Sequence, residues 1–128
     1  MRLIKDFNLV GKTFCFNFHR YNCHMVATGS CSLFDSEWTS CDPGHKETEK
    51  AHPNHCPYVS WLMKNHPKHM LPIYVYKYKC GHYQTGQGQH RLCISGNQRN
   101  RIPVTLDTIK DKLCGFCENP ESFILKTF

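Results

Sequence analysis

An α+β fold is predicted by three features of this sequence. Aromatic residues alternate with polar ones at strand period in two places, two short stretches carry helical spacing, and the segments between them are poor in aliphatic residues. The 128 residues fit one domain, 1–128, divisible into lobes 1–70 and 71–128. The 40% hydrophobic fraction includes nine cysteines, so eight Phe, six Tyr and two Trp must supply much of the apolar area.

Residues 13–20 read as a strand, because Phe14, Phe16 and Phe18 alternate with Cys15, Asn17 and His19. Residues 23–28 follow after a tight connection and predict a hairpin. From 29 to 54 the pattern gives way to Ser, Thr, Asp, Gly and Pro, with a charged run at 46–50. A loop of that length in a small domain needs something to organise it. Residues 57–65 predict a short helix, with Pro57 in its first turn and Tyr58, Trp61 and Leu62 on one face. His66, standing before Pro67, ends it.

Residues 73–83 predict a strand whose Tyr74, Tyr76 and Tyr78 share a face that continues to Cys80 and His82. Gly86 and Gly88 mark a turn, and residues 90–95 predict the return strand, which sets Cys80 opposite Cys93. Residues 106–113 predict a second helix, with Thr105 as its cap and Leu106, Ile109 and Leu113 along one side. The tail, 118–128, carries Phe123, Ile124, Leu125 and Phe128, as a last strand or a frayed end.

Nine Cys and nine His indicate what fastens these pieces together. The odd cysteine count leaves one thiol over from full disulfide pairing, and histidine contributes nothing to a disulfide. Zinc takes thiolate and imidazole together. The strongest motif is Cys114-x-x-Cys117, which can wrap one ion, with Gly115 easing the turn. Its predicted place after a helix argues against a redox pair, which normally opens one. Cys80 and Cys93 are the expected partners, with His82 able to replace Cys93. A second site is expected to draw on Cys15, Cys23, Cys31, Cys41, Cys56, His24, His45, His52 and His55; Cys41-x3-His45 with His52-x3-Cys56 makes one four-ligand set, in which Cys23 or Cys31 can replace either histidine. The fold class is therefore a small zinc-stabilised α+β domain with antiparallel hairpins, two short helices and one or two zinc ions. The competing plain reading takes some of these cysteines as small buried hydrophobes and the histidines as solvated.

Other functions are weighed on their own residues. The net charge of +6 permits an acidic partner, although ordinary solubility explains it equally well. Lys77, Lys79, Arg91, Arg99 and Arg101 beside the tyrosines make a candidate nucleic-acid surface, against the commoner reading of a tyrosine stripe as core packing. His45-Lys46-Glu47 with Cys114-x-x-Cys117 resembles the zinc deaminase pattern, but the proline before the first cysteine is missing. Pro53-Asn54-His55 offers an equally slight hint of a metal-dependent nuclease. No apolar run is long enough to span a membrane. Residues 1–10 hold no signal-peptide core, which predicts a cytoplasmic protein, or a secreted and host-translocated one if Met1 replaces a removed leader.

The stretch Tyr76-Lys77-Tyr78-Lys79-Cys80-Gly81-His82, with Cys93 and Cys114-x-x-Cys117, resembles small Cys/His-rich proteins of filamentous fungi, including plant-pathogen effectors. The resemblance covers the C-terminal half through short motifs. It implies a non-enzymatic zinc protein that acts by binding a host protein or is recognised by an immune receptor. The residues it carries over are Cys80, His82, Cys93, Cys114 and Cys117.

Overall fold

The computed structural model of this chain describes residues 1–34, 38, 39, 42–66 and 71–128. It divides into two compact units, one of Met1–Asn17 with Met70–Phe128 and one of Phe18–His69. The class is mixed α+β.

The first unit is built on a six-stranded sheet of order β1-β5-β3-β4-β2-β6. Its strands are β1 (Arg2–Phe7), β2 (Thr13–Phe16), β3 (Ile73–Tyr78), β4 (Tyr83–Gln84), β5 (Ile102–Ile109) and β6 (Ile124–Thr127). The pairs β3/β5 and β2/β4 run parallel, while β1/β5, β2/β6 and β3/β4 run antiparallel. The sheet is therefore mixed; neither expected hairpin forms among the described residues, and the short β3–β4 hairpin lies within the stretch 73–83 that was expected as one strand.

Register explains both faces. Ile4, Val104 and Ile73 stand side by side, as do Lys77, Tyr83 and Phe14, and this side carries the core. Phe14, Phe16, Val75 and Val104 are fully buried there. Phe14 lies 5.3 Å from the Tyr83 ring and 5.8 Å from Phe128. The opposite side carries Leu3, Thr105 and Tyr74 in one row and Tyr76, Gln84, Cys15 and Leu125 in another. Tyr74 is 55% exposed, so the tyrosine stripe points away from the core.

Three predicted elements change type. Residues 106–113 belong largely to strand β5 and not to a helix. Ile102, Val104, Thr105, Thr108 and Ile109 are β-branched, and central pairing on both sides rewards them more than helical spacing rewards Leu106 and Ile109. Pro103 is tolerated because it faces the irregularity between Ile4 and Phe7 in β1. Residues predicted as a return strand form helix α3 (Gln89–Gln98). Leu92, Ser95 and Gly96 occupy its buried face at helical spacing, and Gly96 lets the Phe128 ring approach where a methyl group would collide. Small residues on that face hid the helical period.

The second unit holds α1 (His24–Thr28), a 3-10 turn (Ser32–Phe34) and α2 (His55–Asn65). Residues 24–28 are helical where a strand was expected. The Thr28 hydroxyl donates to the His24 carbonyl at 2.8 Å, and Gly29 at φ +85 ends the helix in the left-handed region. The helix expected at 57–65 is present as α2, starting two residues earlier. Its buried residues are His55, Pro57 and Ser60, while Tyr58 stacks on Trp61 at 6.5 Å. Among the described residues, no helix is long and apolar enough to cross a membrane.

Candidate metal centre

Two loops of the first unit meet beside β2. One is the turn after β3, where Gly81 takes φ +83 and the Tyr78 N–H donates to the His82 carbonyl at 2.9 Å. This turn projects Cys80 and His82. The other leads from β5 into the short helix α4 (Gly115–Glu118), with Cys114 at its N-cap and Cys117 within it. The Lys79 N–H donates to the Lys112 carbonyl at 3.0 Å, which ties the loops together through their backbones.

Cys80, His82, Cys114 and Cys117 bring one ligand atom each within 4.8 Å of one another. His82 Nδ1 lies 3.4 Å from Cys114 Sγ and 3.5 Å from Cys117 Sγ. In a tetrahedron with metal–sulfur bonds of about 2.3 Å and metal–nitrogen bonds of about 2.0 Å, the S···N edge is about 3.5 Å. The spacing thus suits a cation at the centre, and these four residues can hold a metal ion. Cys114 is fully buried and Cys117 is exposed, so the ion would sit at the rim of the sheet.

Backbone amides support the sulfurs. The Cys114 N–H points at Cys80 Sγ at 3.5 Å. Burial raises the Cys80 thiol, but the N–H groups of Cys114 and His82 reverse this and bring it below its ordinary value. A thiolate is the form a metal needs. Gln84 Oε1 accepts the Gly115 N–H at 2.9 Å and anchors the start of α4.

Gly115 serves a purpose other than the one read from the sequence. Its backbone needs no left-handed turn; a Cβ there would lie 2.6 Å from the Phe123 ring. Its task is to admit that ring beneath the Cys-x-x-Cys loop. At Gly81 the reverse holds, since nothing crowds the position and only the backbone demands glycine. Gly81→Ala is expected to cost about 1–2 kcal/mol through left-handed strain. It should show as a lower melting temperature, and a variant that melts with the wild type would contradict it.

Cys15 was expected only as a candidate for the second site, yet it lies against this group. It projects from β2 on the face opposite Phe14, is buried, and its Sγ accepts the Phe116 N–H at 3.2 Å. Burial pushes its thiol up to about 11 against the opposing pull of that N–H, with Cys114 and Cys80 adding to the rise. Cys15 is thus a neutral acceptor that positions the α4 loop. Cys15→Ala should weaken metal binding about 10–100-fold in competition with a coloured chelator, as loss of an outer-shell partner does. Cys15→Ser, which keeps an acceptor, should recover part of it. Equal affinities for all three proteins would rule out this role.

Cys93 is absent from the group. It lies on α3, where its Sγ meets Asn97 Nδ2 at 3.4 Å and Lys126 Nζ at 3.5 Å. The predicted pairing of Cys80 with Cys93 depended on a return strand that does not form. The ground for setting aside a redox pair also falls, because Cys114-x-x-Cys117 does open a helix. What favours metal instead is the arrival of Cys80 and His82.

Apart from Cys15, the residues expected in a second site lie in the other unit. Cys41 falls outside the described residues. The His45 and His52 rings stack at 5.0 Å, but the His52 Nδ1 lone pair accepts the Asn54 N–H at 3.0 Å. Cys56 is half-buried on α2. Among the described residues, His45, His52 and Cys56 do not gather as the first four do.

Fold and site together define a mixed α+β protein carrying a three-cysteine, one-histidine group suited to a metal ion. No family model, curated protein or solved structure matches this chain.

Proposed function

We propose that the chain is a non-enzymatic zinc protein, in which one Zn2+ at Cys80, His82, Cys114 and Cys117 makes a rigid surface for binding a protein partner. The observation that carries this reading is the closed set of four protein ligands. Structural zinc takes four such ligands, whereas catalytic zinc keeps a position for water or substrate. Three soft thiolates with one imidazole favour zinc over calcium or magnesium, which take oxygen.

The surface itself is the outer sheet face, where Leu3 and Tyr74, each 55% exposed, flank Thr105 in adjacent strands. Aromatic and aliphatic groups in a contiguous row suit the centre of a protein interface. By the resemblance noted above, a host protein or immune receptor is the kind of partner proposed. The deaminase alternative loses ground because Cys114 and Cys117 are grouped with Cys80 and His82, a set of four protein ligands.

Nucleic-acid binding is the second reading, favoured by the outward-facing Tyr74 and Tyr76. Against it, Lys77 Nζ lies over the Tyr83 ring at 5.6 Å, and Arg101 faces Asp6 at 3.9 Å. Elemental analysis of the purified chain, with retention on single-stranded DNA and RNA across salt, tests both. Bound zinc that is lost in Cys114→Ser, with no retention at low salt, is the expected outcome. Folded wild type without zinc would overturn the first reading, and salt-sensitive retention lost in Tyr74→Ala would put the second in its place.

A further inference from the structure

The second unit contains a histidine pair with the geometry of a metal site and a cavity beside it. His45 Nε2 lies 3.3 Å from His55 Nδ1. Two nitrogens bound to one tetrahedral ion at about 2.0 Å stand about 3.3 Å apart. The other nitrogen of His45, Nδ1, lies 2.8 Å from the Pro43 carbonyl. A carbonyl only accepts, so Nδ1 carries the proton and the Nε2 lone pair faces His55. Metal-binding histidines are held in this way, with the distal N–H given to a carbonyl or carboxylate.

The surroundings restrict the pair further. The His52 ring lies flat against His45, at an interplanar angle of 12°, with its own Nδ1 engaged by Asn54. His55 is buried at the start of α2. Both histidines line a cavity of about 400 Å³ whose wall also includes Glu47, Tyr58, Val59 and Leu62. Its walls are mostly apolar, with the two imidazoles and the Glu47 carboxylate among them.

We propose that His45 and His55 form a second site, for a divalent transition metal that favours imidazole, opening onto this cavity. Zinc, copper and nickel are the candidates. Among the described residues no third ligand atom closes on the pair as tightly as in the cysteine group. The remaining coordination positions open onto the cavity, where a small molecule or water would fill them; the exposed Glu47 carboxylate is on the same wall. Of the residues expected to supply a second site it uses His45 and His55, and it differs from the Cys41, His45, His52 and Cys56 set in leaving His52 as a supporting ring. It stands independently of the cysteine centre.

The test is Co2+ titration of the full chain, followed by absorption. Thiolate-to-metal charge transfer reports the cysteine centre, and total bound metal reports both sites. Two equivalents are expected, with only the cysteine centre producing charge transfer. His45→Ala and His55→Ala should each weaken the second equivalent at least about tenfold while leaving the charge-transfer band intact. His52→Ala should retain both equivalents. If the buried His55→Ala fails to fold, the half-buried His45→Ala reads the same loss. A single equivalent that carries the charge-transfer band in the wild type, or a histidine-site equivalent of unchanged affinity in His45→Ala, would overturn the proposal and leave a simple histidine–histidine hydrogen bond.

Discussion

Stripping the metal with a strong chelator, or replacing Cys114 with Ser, is expected to melt the α4 loop and the β3–β4 turn together. The first unit joins these loops across 34 residues of sequence, through the four ligand atoms and the hydrogen bonds from Lys79 to Lys112 and from Gly115 to Gln84. In small structural sites zinc supplies about 10–16 kcal/mol of apparent folding energy. Whole domains are stable by about 5–15 kcal/mol. The loss here is smaller than in a zinc-finger peptide, because the buried sheet face keeps a core of its own. A fall of roughly 10 °C or more in melting temperature corresponds to a few kcal/mol in a domain of this size. Readdition of zinc should restore the chelated wild type but not Cys114→Ser. A chelated protein that melts as before would show that the four residues bear no structural metal.

Phe14→Ala has the second-largest expected effect, and it acts from the other side of the same strand. Phe14 is fully buried, stacks on Tyr83 at 5.3 Å, and also approaches Phe16 and Phe128. Its removal leaves a cavity among aromatic rings that cannot collapse into it, at a cost of about 3–5 kcal/mol. Because Cys15 follows it in β2 and holds the Phe116 N–H, the damage should also loosen the metal centre. Urea unfolding should show an earlier midpoint, and chelator competition should show faster metal loss. A shift below about 1 kcal/mol would mean that Phe14 packs less tightly than its burial indicates.

Much of the candidate site was legible in local spacing. Cys114-x-x-Cys117 and Cys80-x-His82 each place two ligands within one turn of backbone, so short-range geometry brings them together whatever the distant fold. Whether Cys93 or His82 would stand beside Cys80, Cys114 and Cys117 was left open, because strand and helix patterns compete in short segments. Residues 90–95 alternate like a strand, yet they fold as a helix that buries Leu92 and Ser95. With that change Cys93 left the site and His82 completed it. Cys15 was unreadable as a supporting group, since nothing in its neighbourhood hints at a partner 101 residues away. The β1 strand was missed for a related reason. It is an edge strand with Leu3 exposed, so its sequence lacks a clean alternation.

By itself the sequence determined the chemistry available: soft thiolates and imidazoles in close pairs, an aromatic core, and two faces on each of the better-patterned strands. These follow from side-chain type and from backbone period, which act over a few residues. The tertiary structure decided the rest, because parallel pairing of β3 with β5 and of β2 with β4 joins segments far apart in the chain. That pairing turned a predicted helix into a central strand, set the tyrosines outward, and carried Cys80 and His82 to Cys114 and Cys117. Long-range pairing is settled by the total burial it achieves, a sum over contacts that no local window contains.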